Sequence, residues 1–142
     1  MKLSLTRQAL VLAALSLLPA VGEAIYFRGK ISWQSPIPPS EMVSVDQARA
    51  WGGNVIWVDA RPDAEFARDH VPGAVSLNED RWNELLPHFL AAWSPGKKIV
   101  VYCSAESCDL AREAAERLRK EAQIPEVFVL EGGWEAWLKK NR

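Results

Sequence analysis

KKIVVYCSAESC, residues 97–108, is the stretch on which the fold turns. Ile99, Val100, Val101 and Tyr102 form a short apolar run that stops at Cys103. Ser104, Ala105, Glu106 and Ser107 follow, and a helical pattern starts near Cys108. The pattern reads as strand, tight loop, helix, with a thiol as the first loop residue. A thiol is a nucleophile only as thiolate. A helix N-terminus and a cup of backbone N–H groups both favour that anion. Cys103 is therefore a candidate nucleophile. It is equally a candidate for a plain buried cysteine at a strand end, a common place for this residue.

Outward from this stretch, strands and helices alternate. Upstream, Met42 to Val45 reads as a short strand, with Asp46 capping a helix from Gln47 to Trp51. Val55-Ile56-Trp57-Val58 is an unbroken apolar run, as expected of a strand buried on both faces. Asp63 to Arg68 suits a short helix with acidic residues in its first turn, and Ala74 to Leu77 a third strand. Asp80 to Trp93 reads as a helix interrupted by Pro87, with Trp82, Leu85, Leu86, Phe89 and Leu90 on one face. Downstream, Leu110, Ala111, Ala114, Ala115, Leu118 and Ala122 form one stripe of a longer helix. Val127 to Leu130 makes a fifth strand, Gly132-Gly133 a turn, and Trp134 to Lys140 a last helix. The expected fold is α/β, three-layered, with a mostly parallel five-stranded sheet flanked by helices on both faces. Ligands of such sheets bind at the carboxyl ends of the strands. Asp59, Cys103 and Glu131 each follow a strand, so all three should share one sheet edge.

Composition narrows the function. The 142 residues carry a net charge of −1 and are 49% hydrophobic, enough for one domain with a real core plus an extra segment. Balanced charge gives no footprint for nucleic acid as a partner. Two cysteines are too few for a disulfide framework, and two histidines supply a zinc site poorly, so no metal is expected. Lys2 and Arg7 precede an uncharged run from Gln8 to Gly22, and small residues stand around Glu23. Residues 1–24 thus read as a secretory signal peptide or, uncleaved, as an N-terminal anchor that tethers the chain to a membrane. Either one places the protein outside the cytoplasm, in the periplasm or another extracytoplasmic space. Residues 25–40, with Pro36, Pro38 and Pro39, read as an extended linker, and residues 41–142 as the domain.

Three segments, in order, carry a resemblance. VIWVDARPDAEFARDHVPGAVSLN (55–78), IVVYC (99–103) and VFVLEGGWEAW (127–137) resemble the corresponding segments of single-domain rhodanese-like sulfurtransferases. The resemblance implies that Cys103 takes a sulfane sulfur from a small donor or a persulfidated partner protein. It would hold that sulfur as a transient persulfide and pass it to a thiol or other nucleophile, with no metal or organic cofactor. It also implies that Asp59 helps order the site, with Arg61 as a structural ion pair or a substrate contact.

The loop departs from the family pattern. A glycine usually stands three residues after the cysteine and often an arginine two further on; this chain has Glu106 and Cys108 there. Without that cation, and facing the Glu106 carboxylate, an anionic donor such as thiosulfate is disfavoured. Phosphatase or arsenate reductase chemistry on this fold needs the same arginine, and the next one, Arg112, lies well inside the following helix. Cys108 opens another reading, a dithiol redox protein in which Cys103 and Cys108 form a disulfide. A non-catalytic binding module is the last, because fold alone does not fix activity.

Overall fold

In the computed structural model, the described residues are 4–9, 11–13, 15, 16, 22, 37–104 and 108–141. The chain divides into two units, Met1–Pro36 and Ile37–Arg142. Most of residues 1–24, expected from the sequence to direct export, and most of the proline-containing stretch 25–40 lie outside the described residues, as do Ala105, Glu106 and Ser107. In the first unit, residues 5–9 and 11–13 are helical. Among the described residues, no helix is long and apolar enough to cross a membrane.

The second unit is built on five strands: β1 (Met42–Val43), β2 (Val55–Asp59), β3 (Val75–Ser76), β4 (Lys98–Tyr102) and β5 (Val127–Leu130). Five helices alternate with them: α1 (Val45–Ala50), α2 (Asp63–Arg68), α3 (Trp82–Ala92), α4 (Cys108–Glu121) and α5 (Gly133–Asn141). The sheet order is β1-β5-β4-β2-β3, and every strand pair is parallel. The β-branched run of β4 explains its central place. Ile99, Val100, Val101 and Tyr102 are all fully buried, so both faces of β4 must be covered. Ile99 and Val101 pack into one core with Trp82 and Phe89 of α3 and Ala111, Ala115 and Leu118 of α4. Val100 and Tyr102 pack into the other with Val45 and Ala48 of α1 and the half-buried Trp134 and Trp137 of α5. These are the three layers expected from the alternation.

Three local expectations are corrected. The α1 cap is Ser44, not Asp46: the Ser44 hydroxyl accepts from the Gln47 amide at 3.3 Å, and Gln47 Oε1 accepts from the Ser44 amide at 3.0 Å. This reciprocal Ser-x-x-Gln box satisfies two orphan donors, more than a lone aspartate would. Pro87 does not interrupt α3. Its missing N–H frees only the Asn83 carbonyl, and both residues are exposed, so water replaces that bond while Trp82 and Phe89 anchor the helix. Leu90 lies at the margin of the stripe and is 40% exposed.

Around the β3 end, Asp63 accepts from Asn78 at 2.6 Å and from Arg81 at 2.7 Å, tying the start of α2 to the loop before α3. The Arg81 hydrogen bond holds Asp63 below its usual pKa, with Asn78 adding to it. A depressed carboxylate stabilises the fold above its unfolded pKa and stops doing so as pH falls through its folded value. The difference in Tm between wild type and Arg81→Gln is therefore expected to narrow on acidification and with added salt. A thermal scan at several pH values reads this directly.

Candidate active site

Because all strands run the same way, their carboxyl ends share one edge. Asp59 closes β2 and sits in register with Tyr102, the last residue of β4. Cys103 follows Tyr102, and Glu131 follows Leu130 of β5. The ladder extends one step further, with the Ala60 amide donating to the Tyr102 carbonyl at 2.9 Å. The expectation that Asp59, Cys103 and Glu131 meet on one edge agrees with this topology.

Cys103 is 2% exposed and belongs to the core that α4 covers, together with Val101, Ala60 and Ala111. α4 begins at Cys108, five residues on. Ser104 is half-buried; the Cys108 side chain, like the whole of residues 105–107, lies outside the described residues. The proposed approach of the two sulfurs falls in that part of the chain.

Asp59 is fully buried and is spent on Arg61. Its Oδ1 accepts from the Arg61 amide at 2.9 Å and from Nε at 3.0 Å, and its Oδ2 accepts from Nη2 at 2.6 Å. Nη2 also donates to the Asp69 carbonyl at 2.8 Å, and Glu65 stands 3.6 Å from Nη1. Burial by itself lowers the Arg61 pKa, but the hydrogen bond and charge of Asp59 outweigh it, and the net direction is up. The guanidinium is therefore a permanent, fully engaged cation. Its Cζ lies 4.5 Å from the Trp134 ring centroid and 5.6 Å from that of Tyr102, and these two rings stack on each other at 6.1 Å. Tyr102 accepts from the Val71 amide at 3.1 Å; its burial pushes its ionisation up, so it stays a neutral phenol. His70 is likewise occupied, with Nδ1 against the Phe66 carbonyl at 2.8 Å and its ring stacked on Phe66.

The sequence marks Gly132-Gly133 as a turn before the last helix but not the contact of this turn with the thiol's own backbone. The Trp134 amide donates to the Cys103 carbonyl at 2.7 Å. Gly133, with φ +55, is so close that a Cβ on it would lie 2.3 Å from the same oxygen. The glycine pair between a strand and a helix was the available signal, since glycine is the residue used where backbone must take positive φ or approach closely.

A family model of the rhodanese-like domain matches residues 44–140, more than half of the chain. The chain belongs to the rhodanese-like family. A relative by sequence is an uncharacterized Synechocystis protein, 37% identical over 84 residues, 58% of this chain and 42% of that protein. The chain thus spans under half the length of that curated relative. Two solved structures share the fold. The thiosulfate sulfurtransferase of Pseudomonas aeruginosa is 24% identical with a TM-score of 0.58, covering 78% of this chain and 21% of that one. The BH2092 protein of Bacillus halodurans is 25% identical with a TM-score of 0.57, covering 87% and 82%. The rhodanese-like fold expected from the three sequence segments is the fold observed, and the family is of the sulfurtransferase type.

Proposed function

We propose that this rhodanese-like chain is an exported sulfurtransferase in which Cys103 carries sulfane sulfur as a persulfide. One observation carries the reading: the single cysteine directly beyond the central strand stands on the ligand-binding edge of a sulfurtransferase-type fold. The Cys103 thiolate attacks the outer sulfur of a donor R–S–SH; the donor S–S bond breaks, R–S⁻ leaves, and Cys103–S–SH remains. An acceptor thiolate then attacks that outer sulfur, takes it as R′–S–SH and returns the Cys103 thiolate. Every atom comes from chain, donor and acceptor, so no metal or organic cofactor enters. Export rests on the pattern of residues 1–24.

The donor is a low-molecular-weight persulfide, a polysulfide or a persulfidated partner protein rather than thiosulfate. Arg61 is engaged by Asp59 and the Asp69 carbonyl, and Arg112 pairs with Glu116 at 3.0 Å and with Asp109 at 3.5 Å. Arg61, two residues beyond the end of β2, and Arg112, the first arginine after the loop, are thus occupied, and Glu106 adds negative charge. Restoring the cation by Cys108→Arg is expected to raise kcat/KM for thiosulfate on the order of tenfold, the worth of ~1.4 kcal/mol. Steady-state assays with thiosulfate and with a persulfide donor, side by side, measure it.

Intact mass after incubation with a persulfide donor tests the central claim. The expected product has gained one sulfur atom, which a thiol or cyanide then removes; no gain with any sulfane donor sinks the reading. The position of Cys108 at the first residue of α4 favours a second reading, a Cys103–Cys108 disulfide. The same spectrum distinguishes it, because mild oxidation would then remove two hydrogen atoms from the chain.

A further inference from the structure

We propose that Gly133 and Trp134 are positioning residues for Cys103, the first turn of α5 gripping the Cys103–Ser104 peptide and thereby aiming the Ser104 amide. The grip has two parts. The Trp134 N–H donates to the Cys103 carbonyl at 2.7 Å, and the bare Gly133 Cα lets that carbonyl approach. A Cβ on Gly133 would sit 2.3 Å from the Cys103 oxygen, 3.2 Å from its carbon and 3.4 Å from the Ser104 carbon, against backbone that cannot swing aside. In a trans peptide the N–H opposes the C=O, and no cis peptide occurs among the described residues. Fixing the Cys103 carbonyl toward α5 therefore turns the Ser104 N–H away from α5. The strand ladder ends one step earlier, at the Ala60–Tyr102 bond, and among the described residues nothing accepts from the Ser104 amide. It is a donor left on the side of the sheet where Cys103 packs, opposite the side that α5 covers. The Trp134 ring keeps the turn in place, in contact with both the Arg61 guanidinium at 4.5 Å and the Tyr102 ring at 6.1 Å. Arg61 thus acts on Cys103 through Trp134 rather than by touching it.

An anionic sulfur gains from fixed amide donors, so loosening the grip raises the thiol pKa. The test is an ultraviolet thiolate titration of the full chain in a Cys108→Ser background, where one thiol absorbs. The charged groups on the segments that meet at this edge are Asp59 at the end of β2, Arg61 beyond it, Glu131 and Glu135 around the β5–α5 turn, Asp109, Arg112 and Glu113 in the first turns of α4 and, in the sequence between, Glu106. None is altered by the variants used. Gly133→Ala is expected to raise the Cys103 midpoint by on the order of one pH unit. Gly132→Ala is the structural control. It carries the same kind of strain, with φ +69 and a Cβ 2.9 Å from Ala136 Cβ, but does not reach Cys103. It should lower Tm and leave the midpoint where it was.

A folded Gly133→Ala chain with the wild-type midpoint overturns the proposal, and so does an equal shift in Gly132→Ala. Should Gly133→Ala fail to fold, Trp134→Ala decides. It keeps the peptide N–H but removes the ring that Arg61 and Tyr102 hold, so an unchanged midpoint there is equally fatal. The inference rests on Cys103 being the reactive thiol of the transfer reading, yet the titration reads the thiol without any donor. A chain that transfers no sulfur but shows the Gly133→Ala shift upholds the grip and fails the transfer reading. The reverse pair of results does the opposite.

Discussion

Cys103→Ser is expected to lower sulfur transfer from a persulfide donor by on the order of a thousandfold or more, the usual scale for losing a covalent nucleophile. The substitution keeps the shape of the side chain and changes its chemistry. A serine hydroxyl is not ionised near neutral pH and forms no persulfide, so neither half of the transfer has a route. Because Cys103 is 2% exposed and sits in the apolar core that also holds Val101, Ala60 and Ala111, the added hydroxyl polarity also costs some stability. A Tm measured beside the rate separates the two effects: a folded variant that transfers no sulfur has lost chemistry, not structure. Cys108→Ser is expected to retain a substantial share of the wild-type rate. Full activity in Cys103→Ser would end the persulfide reading. Equal loss in both single variants would move the function to the dithiol.

How much of this was legible beforehand depended on the range of the forces involved. The five strands and the central place of β4 were readable because burial on both faces requires an unbroken apolar run, and Ile99 to Tyr102 is one. The sharing of one edge by Asp59, Cys103 and Glu131 followed from parallel alternation alone. The partner of Asp59 was only half readable. Asp-x-Arg is a local pattern, but the carbonyl of Asp69 and the ring of Trp134, which complete the shell of Arg61, are brought in by the fold. The contact between α5 and the Cys103 carbonyl was not readable, because it joins residues far apart in the chain, Cys103 and Trp134, and uses a backbone group that no side-chain pattern marks. Ser44 as cap was readable, since Ser-x-x-Gln carries its own signature; reading Met42 to Val45 as one strand hid it.

Asp59→Ala is the substitution expected to cost most in stability, about 3 kcal/mol, because it leaves one charge of a buried pair uncompensated. Asp59 is fully buried and Arg61 is 2% exposed, so water cannot replace the lost carboxylate. The Asp69 carbonyl and the Glu65 carboxylate at 3.6 Å remain to Arg61, which puts the expectation at the lower end of the usual 3–5 kcal/mol rather than above it. For a domain of this size that is a fall in Tm of roughly 10–20 °C. The informative comparison is the double variant Asp59→Ala/Arg61→Met. If the damage in Asp59→Ala comes from the stranded guanidinium, removing it should recover stability, and the double variant should melt above the single one. Methionine also keeps an apolar, polarizable group against the Trp134 and Tyr102 rings, so little of the packing on the α5 turn is lost. A double variant that melts below Asp59→Ala would mean that Arg61 stabilises the fold chiefly through its cation–π contacts and its bond to Asp69. In that case the ion pair with Asp59 would be the minor part of what holds this edge of the sheet together.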